Sequence, residues 1–406
     1  MEKPKTGTPK VVLGVSGGIA AYKACELLRR LTESGHGVRV VPTESALHFV
    51  GAATWSALSG NPVATEVWSD VHEVPHVRIG QEADLVVVAP ATADTLARAA
   101  HGLADDLLTN TLLTARCPVV FAPAMHTEMW EHPATQENVA TLRRRGAVVI
   151  EPAVGRLTGA DTGKGRLPDP GEIFEVCRRV LARGSAAAPD LAGRHVVISA
   201  GGTREPLDPV RFLGNRSSGK QGYALARTAA ARGARVTLIA ANTGLPDPAG
   251  VDVVPVGTAL QLREAVLKAA ADADAVVMAA AVADFRPAVY AEGKIKKREG
   301  EQPAPVALVR NPDVLAELSA ARPRPGQVIV GFAAETDDVL ANGREKLRRK
   351  GCDLLVVNEV GERKTFGAEE SEAVVLAADG AETPVPYGPK EALAEMIWDL
   401  TVPRLT

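Results

Sequence analysis

Val11-Val12-Leu13-Gly14-Val15-Ser16-Gly17-Gly18-Ile19-Ala20-Ala21 decides how the first half of this chain folds. A short apolar strand runs into a glycine turn, and the stretch Ile19 to Leu31 then carries apolar residues at helical spacing. The same alternation continues outward. Val38-Arg39-Val40-Val41, Asp84-Leu85-Val86-Val87-Val88-Ala89, Val119 to Ala122 and Ala147 to Ile150 are short apolar runs separated by helical patterns. Such runs predict parallel β-α-β units with both sheet faces covered. At His195-Val196-Val197-Ile198-Ser199-Ala200 the pattern restarts: a glycine-rich turn, a helix from Gln221 to Arg232, and the strand Arg235 to Ile239. The expectation is an α/β chain of two tandem doubly wound (Rossmann-like) domains with mainly parallel sheets. Arg183-Gly184-Ser185-Ala186-Ala187-Ala188-Pro189 reads as a linker and divides the chain into 1–185 and 186–406.

Composition narrows the function class. A formal net charge of −3 over 406 residues supplies no field to recruit nucleic acid or a membrane surface. No apolar run is long enough to span a bilayer, and the opening Met1-Glu2-Lys3-Pro4-Lys5 has no signal-peptide character. Cys25, Cys117, Cys177 and Cys352 are scattered, the pattern of reduced thiols rather than of a disulfide framework or a zinc site. A cytoplasmic, enzyme-like chain acting on small molecules is expected.

Several patches carry chemistry. The turn Gly14 to Ala21 sits between strand and helix, where backbone N–H groups and the helix dipole favour phosphate. Its spacing is not G-x-G-x-x-G, so a mononucleotide phosphate suits it better than a dinucleotide; packing alone also produces such turns. Ala89-Pro90-Ala91-Thr92-Ala93-Asp94-Thr95 ends the most apolar strand, with Thr92 as a natural N-cap. Pro75-His76 puts a lone imidazole in a short loop. Pro123-Ala124-Met125-His126-Thr127-Glu128-Met129-Trp130 follows a strand at the edge where open α/β sheets place ligands, though methionine and tryptophan also fill cores.

Together these stretches, with Ser16 to Lys23, Gly102-Leu103-Ala104-Asp105-Asp106-Leu107-Leu108 and Pro90 to Ala93, resemble the flavin-dependent cysteine decarboxylases, specifically phosphopantothenoylcysteine decarboxylase, from about Lys10 to Leu181. The resemblance implies a flavodoxin-like flavoprotein domain that binds FMN through Ser16, Gly17, Gly18, Ile19, Thr43, Pro90, Ala91 and Thr92. It implies oxidation of the substrate's cysteinyl thiol to a thioaldehyde, loss of carbon dioxide, and return of electrons from the flavin. His76 maps onto the family's essential histidine, and Met125, Met129 and Trp130 onto its substrate patch. His126 stands where the family pattern has asparagine and is expected to keep the role of binding the substrate carboxylate. Gly159 stands at or near the position of a family cysteine in the substrate lid, which leaves Asp161 or solvent as the expected proton donor.

The second half carries another set. Gly201-Gly202-Thr203-Arg204-Glu205-Pro206-Leu207-Asp208-Pro209-Val210-Arg211 leads to Gly214-Asn215-Arg216-Ser217-Ser218-Gly219-Lys220. The latter meets the G-x-x-x-x-G-K spacing, but Gln221 replaces the magnesium-binding Ser/Thr, so a phosphate site other than a P-loop is expected. Met278 to Phe285 ends an apolar strand with one carboxylate, Asp284. Gly293-Lys294-Ile295-Lys296-Lys297-Arg298 reads as a solvated loop or a phosphate clamp, and Lys346 and Lys350 lie one helical turn apart. Ala279 to Asp284, Lys294 to Lys297, Asn311-Pro312-Asp313 and Gly331-Phe332-Ala333-Ala334-Glu335-Thr336 resemble phosphopantothenate–cysteine ligase, over Leu191 to Thr406. That resemblance implies CTP and Mg2+, with an acyl-cytidylate formed first and CMP then displaced by the amine of cysteine. It assigns CTP to Met278, Ala279, Ala280, Ala281, Asp284, Lys294, Asn311, Pro312, Asp313, Val314, Phe332, Lys346 and Lys350. It assigns the acyl substrate to Asn215, Arg211, Ser217 and Ser218, and the metal to Asp284.

The product of the second half is the substrate of the first, so one bifunctional enzyme of coenzyme A synthesis is expected. It would work as a homo-oligomer with trimeric decarboxylase and dimeric ligase contacts, up to a dodecamer. The alternatives are a flavoprotein with one active half, and a non-catalytic flavin-binding regulatory protein.

Overall fold

The computed structural model describes residues 8–63, 75–156, 162–183, 189–296, 305–335, 338–359 and 370–405. The chain divides into two compact units, Met1–Asp190 and Leu191–Thr406.

In the first unit, β1 (Lys10–Val15), β2 (Gly37–Pro42), β3 (Leu85–Ala91), β4 (Val119–Pro123) and β5 (Val148–Val149) form one parallel sheet in the order β2-β1-β3-β4-β5. Every residue of β3 is buried, as its unbroken apolar sequence requires when helices cover both faces. Helix Ala21–Glu33 buries Ala21, Ala24, Leu27, Leu28 and Leu31, a stripe at helical period. The winding reverses between β1 and β3, the point at which doubly wound sheets place ligands beyond the carboxyl ends of their strands. This is the flavodoxin-like strand order. A hairpin, β6 (Ala153–Arg156) with β7 (Thr162–Arg166), follows β5. His76, read from the sequence as a loop residue, lies instead in the first turn of the helix Pro75–Glu82. Pro75 opens that helix at the position where a missing N–H has no consequence.

In the second unit, β8 (His195–Gly201) leads into a small ribbon, β9 (Arg204–Pro206) with β10 (Phe212–Gly214). β11 (Arg235–Ala241), β12 (Val251–Val256) and β13 (Ala275–Met278) follow, then a second ribbon, β14 (Phe285–Pro287) with β15 (Leu308–Arg310). β16 (Val328–Glu335), β17 (Leu354–Glu359), β18 (Glu370–Ala377) and β19 (Glu382–Pro389) complete an eight-stranded sheet in the order β12-β11-β8-β13-β16-β17-β18-β19. It is parallel through β17 and antiparallel beyond. Pro384, Pro386 and Pro389 lie on β19, where missing donors discourage further strand addition. The switch point falls between β8 and β13. No helix among the described residues is long and apolar enough to cross a membrane.

Helix Lys220–Ala231 packs hard onto β8 because Gly222 has no side chain: a Cβ there would lie 2.5 Å from Ala200 Cβ. Gly222→Val is expected to destabilise the second unit by about 1–3 kcal/mol, read by chemical denaturation. A change below about 0.5 kcal/mol would contradict this packing.

Candidate active sites

In the first unit, the turns after β1, β2 and β3 are stitched together at the switch point. The buried Ser16 hydroxyl donates to Pro90 O at 2.6 Å and accepts from Thr92 N at 3.0 Å. Thr43 N donates to Val15 O at 2.9 Å. The Thr43 and Thr92 hydroxyls cap the helices that follow, accepting from Ala46 N and Thr95 N. Gly17 permits the closest approach, since a Cβ on it would sit 2.3 Å from Ser45 Cβ. Ala20, the N-cap of the helix Ala21–Glu33, makes no side-chain cap, and Ala21 N and Lys23 N donate instead to Gly18 O at 2.9 Å and Ala20 O at 3.0 Å. Ile19 and Tyr22 are well exposed beside them. A glycine turn at a helix N-terminus, neutral hydroxyls and exposed apolar surface are a lining that fits a flavin mononucleotide.

The Pro123–Trp130 patch separates into parts. His126 is exposed and is the N-cap of the helix Thr127–Glu131, with no cap hydrogen bond from its ring. Met129 is 47% exposed, while Trp130 is 3% exposed and packs in a core cluster with Phe121, Val139 and Leu142. β7 lies directly on this patch. Met125 N donates to Gly165 O at 2.9 Å, and Cβ atoms on Gly163 or Gly165 would lie 2.2 Å from Thr127 Oγ1 or 2.3 Å from Met125 O. Between those glycines, Lys164 pairs with Glu151 at 2.7 Å, and Arg143 pairs with the other carboxylate oxygen at 2.7 Å. The Lys164 ammonium also lies 6.0 Å from the centre of the Trp130 ring. Burial pushes the Glu151 carboxyl up, but hydrogen bonds from Lys164 and Arg143 outweigh it and hold the group below its ordinary value. The side chain of His76, Gly159 and Asp161 lie outside the described residues.

In the second unit, a cleft of about 720 Å³ opens at the carboxyl ends of the strands. It gathers Asn215, Ser217, Ser218, Met278, Ala279, Ala280, Ala281, Asp284, Asn311, Pro312, Asp313, Val314, Phe332, Lys346 and Lys350 from five separate stretches of chain. Arg211 and Lys294 are not among its lining residues. Arg211 instead pairs with the buried Asp208, at 2.6 and 3.0 Å, and donates to Ile295 O at 2.9 Å; Lys294 is exposed. Two asparagines brace the cleft rather than hang free. Asn215 donates to Val282 O at 3.1 Å, and Asn311 donates to Ala283 O at 2.8 Å while accepting from Arg286 at 3.0 Å. Asp313 caps the helix Val314–Ala321 and pairs with Lys350, and Lys346 pairs with Glu335 at 3.4 Å. Burial raises the Asp313 carboxyl, but the Lys350 hydrogen bond prevails and its titration is lowered.

Sequence reading missed Arg216, Lys220, Gln221, Asn358 and Lys390, which also line the cleft. Asn358 Oδ1 and Gln221 Oε1 are buried there without a hydrogen-bond partner. Asn358 carried the same signal as Asp284, a polar residue closing an apolar strand; the buried Lys390 carried none. Among the described residues, no group of three His, Cys, Asp or Glu side chains is placed to hold a metal. Asp284 is exposed on the cleft wall, so a cation beside it would take its remaining ligands from phosphates and water.

Residues 2–182 match the family model Flavoprotein, and residues 191–403 match that of the DNA/pantothenate metabolism flavoprotein C-terminal domain. The Coenzyme A biosynthesis bifunctional protein CoaBC of Mycolicibacterium smegmatis is 65% identical over 400 residues, covering 96% of each chain. The chain belongs to the CoaBC family of bifunctional coenzyme A biosynthesis proteins. The Bacillus subtilis member is 43% identical over 380 residues, covering 93% of this chain and 92% of its own. Among solved structures, the C-terminal domain of a CoaBC protein matches 53% of this chain and 98% of its own, at 33% identity and a TM-score of 0.46. A PPC decarboxylase mutant complexed with pantothenoylaminoethenethiol matches 43% of this chain and all of its own, at 32% identity and a TM-score of 0.39.

Two outcomes follow from the first unit. Ser16→Ala removes the stitch between the turns after β1 and β3; a loss of about 1–3 kcal/mol and a lower flavin-to-protein absorbance ratio are expected. Glu151 titrates below its ordinary 4.5 when folded, so its contribution to stability is complete above that pH and is lost as pH falls through the lowered value. Glu151→Gln should therefore destabilise the protein near neutrality more than at about pH 3. Equal destabilisation at both would refute the ion triad's role.

Proposed function

We propose that the first unit decarboxylates 4′-phosphopantothenoylcysteine at the β1/β3 crevice and that the second unit makes that substrate from 4′-phosphopantothenate, cysteine and CTP. As a CoaBC family member the protein is a bifunctional enzyme of coenzyme A biosynthesis and a flavoprotein. The finer assignment of residues to steps is our reading. What carries it is the convergence in one 720 Å³ cleft of motifs spread from Asn215 to Lys350, most of them just beyond strand ends and Lys346 and Lys350 on the helix Val339–Lys350.

In the first unit, Ser16, Gly17, Gly18, Ile19, Thr43, Pro90, Ala91 and Thr92 would hold FMN, with its phosphate at the glycine turn that leads into the helix Ala21–Glu33. When bound, the flavin supplies the two-electron chemistry that allows the cysteinyl carboxylate to leave as carbon dioxide. His76 moves the proton at the cysteinyl centre, as an imidazole near neutrality can. His126, exposed at a helix N-terminus, donates to the substrate carboxylate. Met125 and Met129 form an apolar wall, and Trp130 supports that wall from the core below.

In the second unit, the carboxylate of phosphopantothenate attacks the α-phosphate of CTP, pyrophosphate leaves, and the amine of cysteine then displaces CMP from the acyl-cytidylate. Asn215 fixes the acyl-cytidylate, with Ser217 and Ser218 beside it; Arg211, tied to Asp208 and Ile295 O, acts from outside the lining. The wall Met278 to Ala281, the turn Asn311 to Val314 and Phe332 hold the nucleoside. Lys346 and Lys350 exchange their carboxylate partners for the triphosphate, and Lys294 stabilises the charge that develops at the α-phosphate. Asp284 would hold Mg2+, which would supply neutralisation of the triphosphate charge.

The ribbons β9–β10 and β14–β15 lie against each other and expose Val210, Phe212, Phe285, Tyr290, Leu308 and Val309, an apolar surface that supports self-association of the ligase unit. Scattered free thiols at Cys25, Cys117, Cys177 and Cys352 support a cytoplasmic setting.

Purified protein given 4′-phosphopantothenate, cysteine, CTP and magnesium should yield 4′-phosphopantetheine, CMP and pyrophosphate by mass spectrometry. His76→Asn should stop the sequence at 4′-phosphopantothenoylcysteine, and Lys294→Gln should leave CTP almost unconsumed, slowed about 100-fold or more. Full turnover by either variant would remove that residue from its assigned step.

A further inference from the structure

Asp208 accepts five hydrogen bonds, yet it lies outside the cleft. Its side chain is fully buried and bonded on both oxygens. Oδ1 accepts from Val210 N and Arg211 N, each at 2.8 Å, which closes the turn ahead of β10. Oδ2 accepts from Arg211 Nε at 3.0 Å, from Arg211 Nη2 at 2.6 Å, and from Ile295 N at 3.2 Å. Arg211 Nη2 also donates to Ile295 O at 2.9 Å, so both backbone polar groups of Ile295 are held by the Asp208–Arg211 pair. Nearby, Ala291 N donates to Leu207 O at 3.0 Å, a second tie between the same two segments. Ile295 is the residue after Lys294, in a stretch with no helix or strand of its own.

The chemistry asked of Lys294 is electrostatic, and such groups act through fixed position. A flexible side chain on an untethered loop would give little of that stabilisation, because the ordering would fall in the reaction itself. Arg211, Val210 and Ile295 hold the Asp208 carboxyl far below its usual range, so the tether is charged at any pH at which the enzyme works.

We infer that Asp208 is a positioning residue for the ligase reaction: through Arg211 and the Ile295 peptide it anchors the root of the loop that delivers Lys294 to the nucleotide. This rests on the reading of Lys294 given above. It assigns a role to the Leu207-Asp208-Pro209-Val210-Arg211 stretch that does not require direct contact with the nucleotide.

The test is a double-mutant cycle on the first half-reaction of the full-length protein. Pyrophosphate release is followed after mixing 4′-phosphopantothenate with CTP and magnesium, cysteine being omitted. Asp208→Asn keeps an acceptor for the turn but places an amide where three donors converge. It should slow release about 10- to 100-fold, with kcat falling more than KM for CTP changes. Combined with Lys294→Gln, it should add almost nothing to the loss caused by Lys294→Gln alone. Ile295→Pro deletes the N–H that Asp208 accepts, leaves the Asp208–Arg211 pair in place, and should reproduce the effect in a chain of unchanged melting temperature. Losses that multiply in the double variant, or a wild-type rate in both Asp208→Asn and Ile295→Pro, overturn the inference. A wild-type rate for Lys294→Gln alone instead overturns the reading of Lys294, and the inference with it.

Discussion

A parallel sheet covered by helices on both faces has no place for polar side chains except at the ends of its strands. That constraint organises both units of this chain. β3 is buried throughout, β8 and β13 are buried throughout, and their neighbours are nearly so. Each strand therefore delivers its chemistry where it stops: Ser16 after β1, Pro90 and Thr92 at the end of β3, Met125 and His126 after β4, Asp284 beyond β13, Asn358 near the end of β17. Reversal of the winding, between β1 and β3 and again between β8 and β13, separates the adjoining helices and leaves a crevice in which those ends meet.

Within the crevices, many polar residues serve by holding backbone rather than by facing a ligand. Ser16 bonds across two turns, Asn311 bridges the Ala283 and Arg286 segments, and Asp208 saturates itself on its own turn and a distant loop. A buried polar group left unpaired is costly, so these bonds make the turns cooperative. Asn358 Oδ1 and Gln221 Oε1 are exceptions, buried and without partners on the cleft wall. Hydrogen-bond donors on a bound substrate would satisfy them.

The charged lysines of the ligase cleft follow another logic. Lys346 and Lys350 are paired with Glu335 and Asp313, which keeps cationic groups on one wall without open repulsion. A triphosphate carries enough charge to compete with single carboxylates for them. Asp313 caps a helix and pairs with Lys350, and on the proposed reading it would yield that lysine to the nucleotide.

By itself, the sequence determined the alternation of strands and helices, the parallel β-α-β winding, and most of the segments that line the ligase cleft, but not the ribbons β6–β7, β9–β10 and β14–β15 or the antiparallel β18 and β19. Those signals are local: unbroken apolar runs, glycine turns, and N-caps such as Thr92. Four kinds of fact needed the tertiary structure. Trp130 belongs to the core and Met129 to the surface, although they are adjacent, because the one-turn helix carrying them packs on β7 and the helix Pro133–Arg144 and turns successive residues to different faces. His76 sits on a helix rather than a loop, because Pro75 can start a helix as readily as break one. Lys390 reaches the cleft from β19's far side of the chain sequence, with no motif around it. Asp208 meets Ile295 across eighty-seven positions. Such contacts depend on how the chain returns on itself, and a one-dimensional pattern carries no record of that return.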